Sequence, residues 1–200
     1  MAPTVIDLIR HGEPVGGIRF RGETDDPLSP KGQRQMEDAV GDYREWNLIV
    51  TSPLRRCRDF AESMAERLSI PLEIEAQFRE IGFGAWEGLT AKDISEMSPE
   101  ALRQFYRDPA QYPPTGGEPV PDFQKRITTA WERMVATHPG KHILVIAHGG
   151  TIRIVLSHVL EIPLANLFRL TVPNAAISRI QHFSDDTGRF AQLIFHHGKL

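Results

Sequence analysis

The sequence has a single cysteine, Cys57, among its 200 residues. One cysteine cannot form a disulfide within the chain, and a free thiol is typical of a reducing compartment. The first residues, Met-Ala-Pro-Thr, lead directly into an apolar segment without a preceding basic stretch, which argues against a secretory signal. We therefore expect a cytoplasmic protein.

Long apolar runs and an excess of positive charge are also missing. No apolar run approaches the ~20 residues that a membrane-spanning helix needs. The net charge of -3, with a pI near 6.2, provides no electrostatic footprint for nucleic acid or for an anionic membrane surface. We expect the partner to be a small molecule, neither nucleic acid nor membrane. The length fits a single domain spanning 1–200, either as a monomer or as a homodimer.

Predicted strands and helices alternate along the chain. The apolar or alternating segments that predict strands are 5–9, 48–50, 72–75 and 143–147. The segments that predict helices, from capping residues and apolar spacing, are 30–44, 51–68, 122–137 and 151–160. Segments 176–183 and 190–196, on either side of the turn at 184–188, predict an antiparallel hairpin. This order predicts an α/β fold: a three-layer α/β/α sandwich with a mostly parallel sheet.

Two long segments interrupt this alternation. The Gly/Pro-rich loop 14–30 contains Arg19 and Arg21. The segment 90–121 has helical pieces and then a run of prolines and glycines. Loops of this length are usually functional, so we interpret 90–121 as a lid-like excursion over the active face rather than a second domain.

The most informative feature is a histidine after each of two predicted strands. The first strand leads into Arg10, His11 and a glycine, and segment 143–147 leads into His148 and Gly149. Parallel strands end at one edge of a sheet, where α/β proteins bind their ligands. An arginine before the histidine and a glycine after it suit an anion, and phosphate is the obvious candidate. A lone histidine in this position would more often be a hydrogen-bonded structural residue.

Six segments in order along the chain resemble motifs of the histidine phosphatase superfamily, also called the phosphoglycerate-mutase-like family. These segments are 8–13, 26–32, 51–57, 80–88, 116–118 and 147–150. The resemblance extends over nearly the whole chain. It implies a phosphoglycerate-mutase-like fold and an activity that passes through a phosphohistidine.

The resemblance also implies a role for each motif residue. His11 is the nucleophile, and Arg10 and Arg56 bind the phosphate. His148 is the second histidine, catalytic and phosphate-binding, and Glu80 is the proton donor. The register of the motifs selects these positions over neighbouring residues of the same type, which are Arg55, Arg58, Glu13 and Glu87.

Phosphoryl transfer makes the same demands on these residue types. It needs positive charge around the phosphate oxygens, which Arg10, Arg56 and His148 can supply, and a nucleophile in line with the leaving oxygen. Imidazole attacks only when neutral, so the other nitrogen of His11 should donate to a fixed acceptor such as a carbonyl. Glu80 can protonate the leaving oxygen and then accept a proton from water. Because side chains supply the charge, we expect no metal and no cofactor.

The branch of the family is less sharply defined. Residues 80–86 lack the arginine and the Tyr-Gly pair typical of phosphoglycerate mutases, which favours a phosphatase. Segments 16–22, 25–28 and 149–153, with the cysteine of segment 52–57, resemble the α-ribazole phosphatase branch. This resemblance implies α-ribazole 5'-phosphate or cobalamin phosphate as substrate, in cobalamin biosynthesis. A broad-specificity phosphatase, a mutase and a non-catalytic phospho-ligand binding module remain alternatives. The candidates for substrate contact are Arg19, Arg21 and Gly149, with the aromatic residues Phe20, Phe105, Tyr106 and Tyr112.

Overall fold

The computed structural model of the chain describes residues 2–185 and 188–200. Over these ranges, six strands form one sheet in the order β3-β2-β4-β1-β5-β6. The strands are β1 Thr4–Arg10, β2 Leu48–Thr51, β3 Leu72–Ile74, β4 His142–Ala147, β5 Ile177–Asp185 and β6 Gly188–Gly198. The first four are parallel to one another, and β5 and β6 add an antiparallel edge next to β1. The predicted hairpin is confirmed, although residues 186–187 of its turn lie outside the described residues.

The helices lie on both faces of this sheet. They are α1 Pro30–Val40, α2 Arg55–Leu68, α3 Ala91–Met97, α4 Pro99–Arg107, α5 Val120–Thr137 and α6 Gly149–Val159. One buried apolar cluster joins the sheet to α5 and α6, and a second joins the opposite face to α1 and α2. The predicted three-layer α/β sandwich is therefore confirmed. In the described ranges, no helix is both long and apolar enough to cross a membrane.

Local chemistry sets the helix ends, and two predicted ends were wrong by four residues. Helix α2 begins at Arg55 rather than at residue 51, because that residue still pairs with β4 as the last residue of β2. The Ser29 hydroxyl accepts from the Gly32 amide at the start of α1, as the capping pattern predicted. The helix ends at Val40 rather than at residue 44, because Gly41 takes a positive φ of 47° that breaks the helical repeat.

The register of β1 and β4 determines where the two histidines lie. Arg10 pairs with Ala147 across these parallel strands, so His11 and His148 both leave the sheet at the same edge. The backbone amide of His11 donates to the carbonyl of Ala147 at 3.0 Å, which holds the first turn after β1 against the end of β4. Gly12 follows at a point of close approach, where a Cβ would lie 2.1 Å from the Gly32 carbonyl oxygen.

The segment 90–121 forms α3, α4 and a turn-rich return to α5. Thr90 and the side chain of Asp93 cap α3 reciprocally. Phe105, on α4, is buried against the rings of Phe20 and Trp86. This packing places α4 over the carboxyl edge of the parallel strands.

Candidate active site

A cavity of about 240 Å³ opens at the edge where β1 and β4 end. The predicted site residues that line it are Arg10, His11, Arg19, Arg21, Glu80 and Gly149. Phe20, Phe105 and Tyr106 contribute an aromatic wall. Tyr112 lies in a neighbouring surface groove beside α4 and not in this cavity, so its predicted contact with the substrate is not supported. The structure thus brings most of the predicted site together.

His11 has one ring nitrogen held by the backbone. Its Nδ1 lies 2.7 Å from the carbonyl oxygen of Gly12. A carbonyl can only accept, so Nδ1 carries the proton and Nε2 keeps its lone pair. Burial, together with the charges of Arg10 and Arg56, holds the pKa of His11 well below its ordinary value. The imidazole is therefore neutral at physiological pH, with Nε2 free to attack.

His148 is buried behind His11 rather than in the cavity wall. The Arg56 Nε–H donates to its Nδ1 at 3.2 Å, so its proton is on Nε2, which lies 2.6 Å from the Ser52 hydroxyl. Burial and the charge of Arg56 hold the pKa of His148 well below its ordinary value. The ring is 5.2 Å from that of His11, centroid to centroid. The expectation that His148 contributes positive charge is not supported by this geometry, because the ring is neutral and both nitrogens have protein partners.

Arg10 is a half-buried cation with an unused donor. One terminal nitrogen donates to the Val172 carbonyl at 2.7 Å, while its buried Nε has no partner among the described residues. Burial lowers the pKa of Arg10 to about 10, so the guanidinium stays charged at neutral pH. A Cβ on Gly149 would lie 3.4 Å from that Nε, which shows that the guanidinium lies against the first residue of α6. A helix N-terminus beside a guanidinium is a favourable place for an anion.

Arg56 has a different set of partners. Its terminal nitrogens donate to the carbonyls of Thr24, Arg21 and Gly22, and the residue is fully buried. The guanidinium therefore joins the 14–30 loop to His148 and does not line the cavity. Its charge still acts on His11 from this position.

Glu80 is held at the start of α6. Its Oε2 accepts from the Gly150 amide at 2.9 Å, and its Oε1 accepts from the Ile81 amide at 3.0 Å. The approach is close, since a Cβ on Gly150 would lie 2.3 Å from Oε1. The two competing glutamates have other contacts: Glu13 pairs with Lys31 and Glu87 accepts from the loop amide of Gly22. Only Glu80 of the three lines the cavity.

The two loop arginines are engaged mainly by the loop itself. Arg21 donates to the carboxylate of Asp26 at 2.7 Å and to the carbonyls of Gly17 and Val15. Substrate contact through its guanidinium is therefore not supported, because these loop groups use the donors. Arg19 donates to Gly16 and to the Gly88 carbonyl, which joins the loop to the segment after Trp86.

Sequence reasoning gave no role to two polar residues that line the cavity, Arg153 and Asn174. Arg153 is four residues after Gly149 on α6, and this spacing places both on one helix face, a signal that was available in the sequence. Asn174 donates to the backbone carbonyl of His11 at 3.0 Å. No local pattern marks Asn174, because its contact depends on the pairing of β1 with the segment before β5.

The fold and the site together define the class of protein to which the chain belongs. It is an α/β protein with a neutral histidine beside arginines at the carboxyl edge of its parallel strands. Comparison with known families agrees with this description. Residues 6–193 match the histidine phosphatase superfamily (branch 1). The chain belongs to this superfamily.

Curated relatives resemble the chain over most of its length. It is 31% identical over 188 residues to a bifunctional protein of Mycobacterium tuberculosis, a match that covers 92% of the chain and 51% of the relative. The chain thus spans about half the length of this relative. It is 33% identical over 171 residues to the glucosyl-3-phosphoglycerate phosphatase of the same species, which covers 80% of the chain and 76% of that enzyme.

Solved structures show the same architecture. A mycobacterial glucosyl-3-phosphoglycerate phosphatase in complex with VO3 superposes with a TM-score of 0.85 at 29% identity, covering 96% of the chain and 98% of that structure. The α-ribazole phosphatase of Shigella flexneri gives a TM-score of 0.79 at 24% identity, covering 98% and 96%. The second likeness is one of fold alone.

Proposed function

We propose that the chain is a phosphomonoesterase that forms a phosphohistidine on His11. The observation that carries this proposal is the state of His11: a buried, neutral imidazole whose Nδ1 is fixed by the Gly12 carbonyl. His11 lines a cavity together with Arg10, a cation whose buried Nε has no partner among the described residues. Membership of the histidine phosphatase superfamily supports the same activity.

The reaction divides into two displacements at phosphorus. In the first, Nε2 of His11 forms a bond to phosphorus as the bond to the substrate oxygen breaks, and Glu80 donates a proton to that oxygen. In the second, Glu80 takes a proton from water, the water oxygen bonds to phosphorus, and the bond to His11 breaks. Phosphate and the neutral imidazole are regenerated. Arg10 stabilises the charge on the phosphate oxygens through both steps.

Arg56 and His148 act in this scheme as positioning residues. Arg56 joins the 14–30 loop to His148, and the edge of His148 packs against His11. The charge of Arg56 also disfavours protonation of His11, which keeps the nucleophile active.

For the substrate, we propose a small phosphorylated molecule selected by the alcohol it carries. The sequence favours α-ribazole 5'-phosphate, and the cavity's aromatic wall of Phe20, Phe105 and Tyr106 offers contacts for a planar base. The 33% identity to glucosyl-3-phosphoglycerate phosphatase favours an ester of glycerate instead. Because the phosphate groups are the same, the segments over the cavity, including α4 of the 90–121 excursion, distinguish the two.

The experiment that tests the proposal compares two histidine variants. His11→Ala should abolish hydrolysis of p-nitrophenyl phosphate while the protein remains folded, because the variant lacks only the attacking nitrogen. His158→Ala is the matched control, since His158 is exposed and pairs with Glu132 on the surface. Wild-type activity should also persist in EDTA, because arginines supply the charge. Substantial turnover by His11→Ala, or full loss in EDTA that a divalent ion restores, would contradict the proposal.

A further inference from the structure

Among the cations that line the cavity, Arg153 is used neither by the phosphohistidine chemistry nor by the 14–30 loop. It lies on α6 one turn after Gly149 and lines the same cavity as His11. Its Nε donates to the Leu170 carbonyl at 2.8 Å, and its guanidinium lies over the ring of Phe168, 5.3 Å from the centroid. The side chain is therefore held in place through its Nε and one flat face. Its terminal nitrogens have no acceptor among the described residues and are available to a ligand.

Arg153 also has no carboxylate within ion-pair distance among the described residues. By contrast, Arg21 in the same cavity pairs with Asp26 at 2.7 Å. Burial lowers the pKa of Arg153, which reflects the cost of keeping this guanidinium charged in its half-buried position. A cation in such a position is favourable when an anionic ligand pairs with it.

The position of Arg153 indicates which part of a substrate it meets. The ring of Phe168, over which the Arg153 guanidinium lies, packs against Phe105 and Tyr106 of α4, with ring centroids 5.1 and 5.0 Å apart. Helix α4 belongs to the segments over the cavity, which face the alcohol part of a substrate. Arg153 therefore lies on the side of the leaving alcohol, while Arg10 directly precedes the nucleophile in the chain.

We propose that Arg153 determines specificity by binding a carboxylate on the alcohol part of the substrate. The substrate class is then phosphomonoesters that carry a carboxylate close to the ester oxygen. This inference rests on the proposed phosphatase function. The two terminal nitrogens of a guanidinium form a planar fork that matches the two oxygens of a carboxylate, and Arg10 remains for the phosphate.

The test uses two esters that differ in one group. In 3-phosphoglycerate the terminal carbon is a carboxylate, and in glycerol 3-phosphate it is a hydroxymethyl group. The wild-type protein should hydrolyse 3-phosphoglycerate with a kcat/KM about 10- to 100-fold higher, the range expected for a charge-assisted hydrogen bond. Arg153→Gln should bring this ratio close to one. Because each variant is judged by a ratio, the fraction of folded protein cancels.

Two further variants separate the effect of the planar pair of donors from the effect of the positive charge. Arg153→Lys keeps the charge and loses the planar pair of donors, so its ratio should be intermediate. Arg103→Gln removes an exposed arginine that pairs with Glu100 on the outer side of α4, and its ratio should equal the wild-type ratio. If Arg103→Gln lowered the ratio as far as Arg153→Gln, general charge would account for the preference and the proposal would be wrong.

Failure of this inference is distinguishable from failure of the proposed function. The dissociation constants of both esters are measured by calorimetry on His11→Ala, which does not turn them over, with and without Arg153→Gln. A preference for 3-phosphoglycerate that Arg153→Gln removes supports the inference even if no hydrolysis is found. Equal dissociation constants for the two esters would overturn the inference. An equal loss of affinity for both esters in Arg153→Gln would also overturn it, because Arg153 would then bind the phosphate itself.

Discussion

At the scale of single residues, the arginines around the cavity differ in what their donors contact. Arg21 and Arg56 donate to backbone carbonyls of the 14–30 loop, so their main effect is to fix that loop. Arg10 keeps an unpartnered buried nitrogen, and the terminal nitrogens of Arg153 have no protein acceptor among the described residues. We therefore expect a phosphate ester to contact Arg10 and Arg153, while the other two arginines hold the loop that surrounds the cavity.

Glu80→Gln tests the proton donor at this scale. The amide keeps the shape of the side chain but cannot give up a proton to the leaving oxygen, so kcat for alkyl phosphates should fall by ~10² to 10⁴. The rate constant for phosphorylation by p-nitrophenyl phosphate should fall less, because nitrophenolate leaves without protonation. Single-turnover phosphorylation of both esters measures the difference.

Glu13→Gln is the control, because Glu13 pairs with Lys31 outside the cavity. Equal losses for the two esters in Glu80→Gln would show that Glu80 is not the donor.

At the scale of elements, the 14–30 loop is held from several directions. Arg56 binds its carbonyls from α2, and Glu87 accepts from the amide of Gly22 and the hydroxyl of Thr24. Backbone hydrogen bonds, led by that from Phe83, outweigh the effect of burial and lower the pKa of Glu87, so it is a carboxylate at neutral pH. The loop therefore forms a fixed wall of the cavity.

Arg21→Ala tests this view of the loop. The change removes the ion pair with Asp26 and donors to two loop carbonyls, so kcat/KM should fall by about 10-fold for any ester, in line with the loss of a charged hydrogen bond. The ratio between a bulky ester such as α-ribazole 5'-phosphate and p-nitrophenyl phosphate should stay within about twofold. A selective loss for the bulky ester in steady-state assays would instead assign Arg21 to substrate contact.

The elements that the sequence predicts best are those whose signals are local. Ser29 and Gly32 form the helix cap that their spacing indicates, and β1 and β4 are strands because their residues are apolar and β-branched. The end of α1 at Gly41 was missed because polar residues after it continue a pattern compatible with a helix. The helix ends because Gly41 has a positive φ. The sequence alone does not show this, since glycine also occurs inside helices.

The site was predictable in part for the same reason. His11 and His148 follow strands that the sequence identifies, so their proximity could be inferred. The partners of Arg56 and Arg21 could not be inferred from the sequence. They are mainly backbone carbonyl groups, which every residue has, and only the conformation of the folded loop determines which of them face each guanidinium. Arg153 lines the cavity because of how α6 lies against it. The helical spacing of Arg153 and Gly149 places both on one face of α6, but it predicts this position for Arg153 only if Gly149 is already known to line the cavity.

At the scale of the whole molecule, the fold keeps its two strand-end histidines in the less protonated state. His11 and His148 are both buried, and both have a pKa held well below the ordinary value. In the unfolded chain each would take up a proton near pH 6.5. The folded protein therefore binds fewer protons than the unfolded chain below that pH.

This difference predicts how stability depends on pH. Because the unfolded state binds more protons, the free energy of unfolding should fall as the pH drops below about 6.5, by about 1.4 kcal/mol per pH unit for each histidine. The loss should continue until the folded-state pKa values are reached. Urea titrations between pH 7 and pH 5 measure the slope of the free energy of unfolding against pH. His11→Asn should reduce this slope by the contribution of one histidine. An unchanged slope in this variant would show that His11 does not stay neutral in the folded state.

The central claim is that Nε2 of His11 attacks phosphorus because Nδ1 is held by the Gly12 carbonyl. The most direct measurement is to quench the protein with a ³²P-labelled phosphomonoester in the steady state, digest it under alkaline conditions and determine the phosphohistidine isomer. The account predicts phosphate on Nε2 of His11, acid-labile and absent from His11→Ala. Label on Nδ1, label on another residue, or turnover without any phosphohistidine after rapid quenching would contradict it.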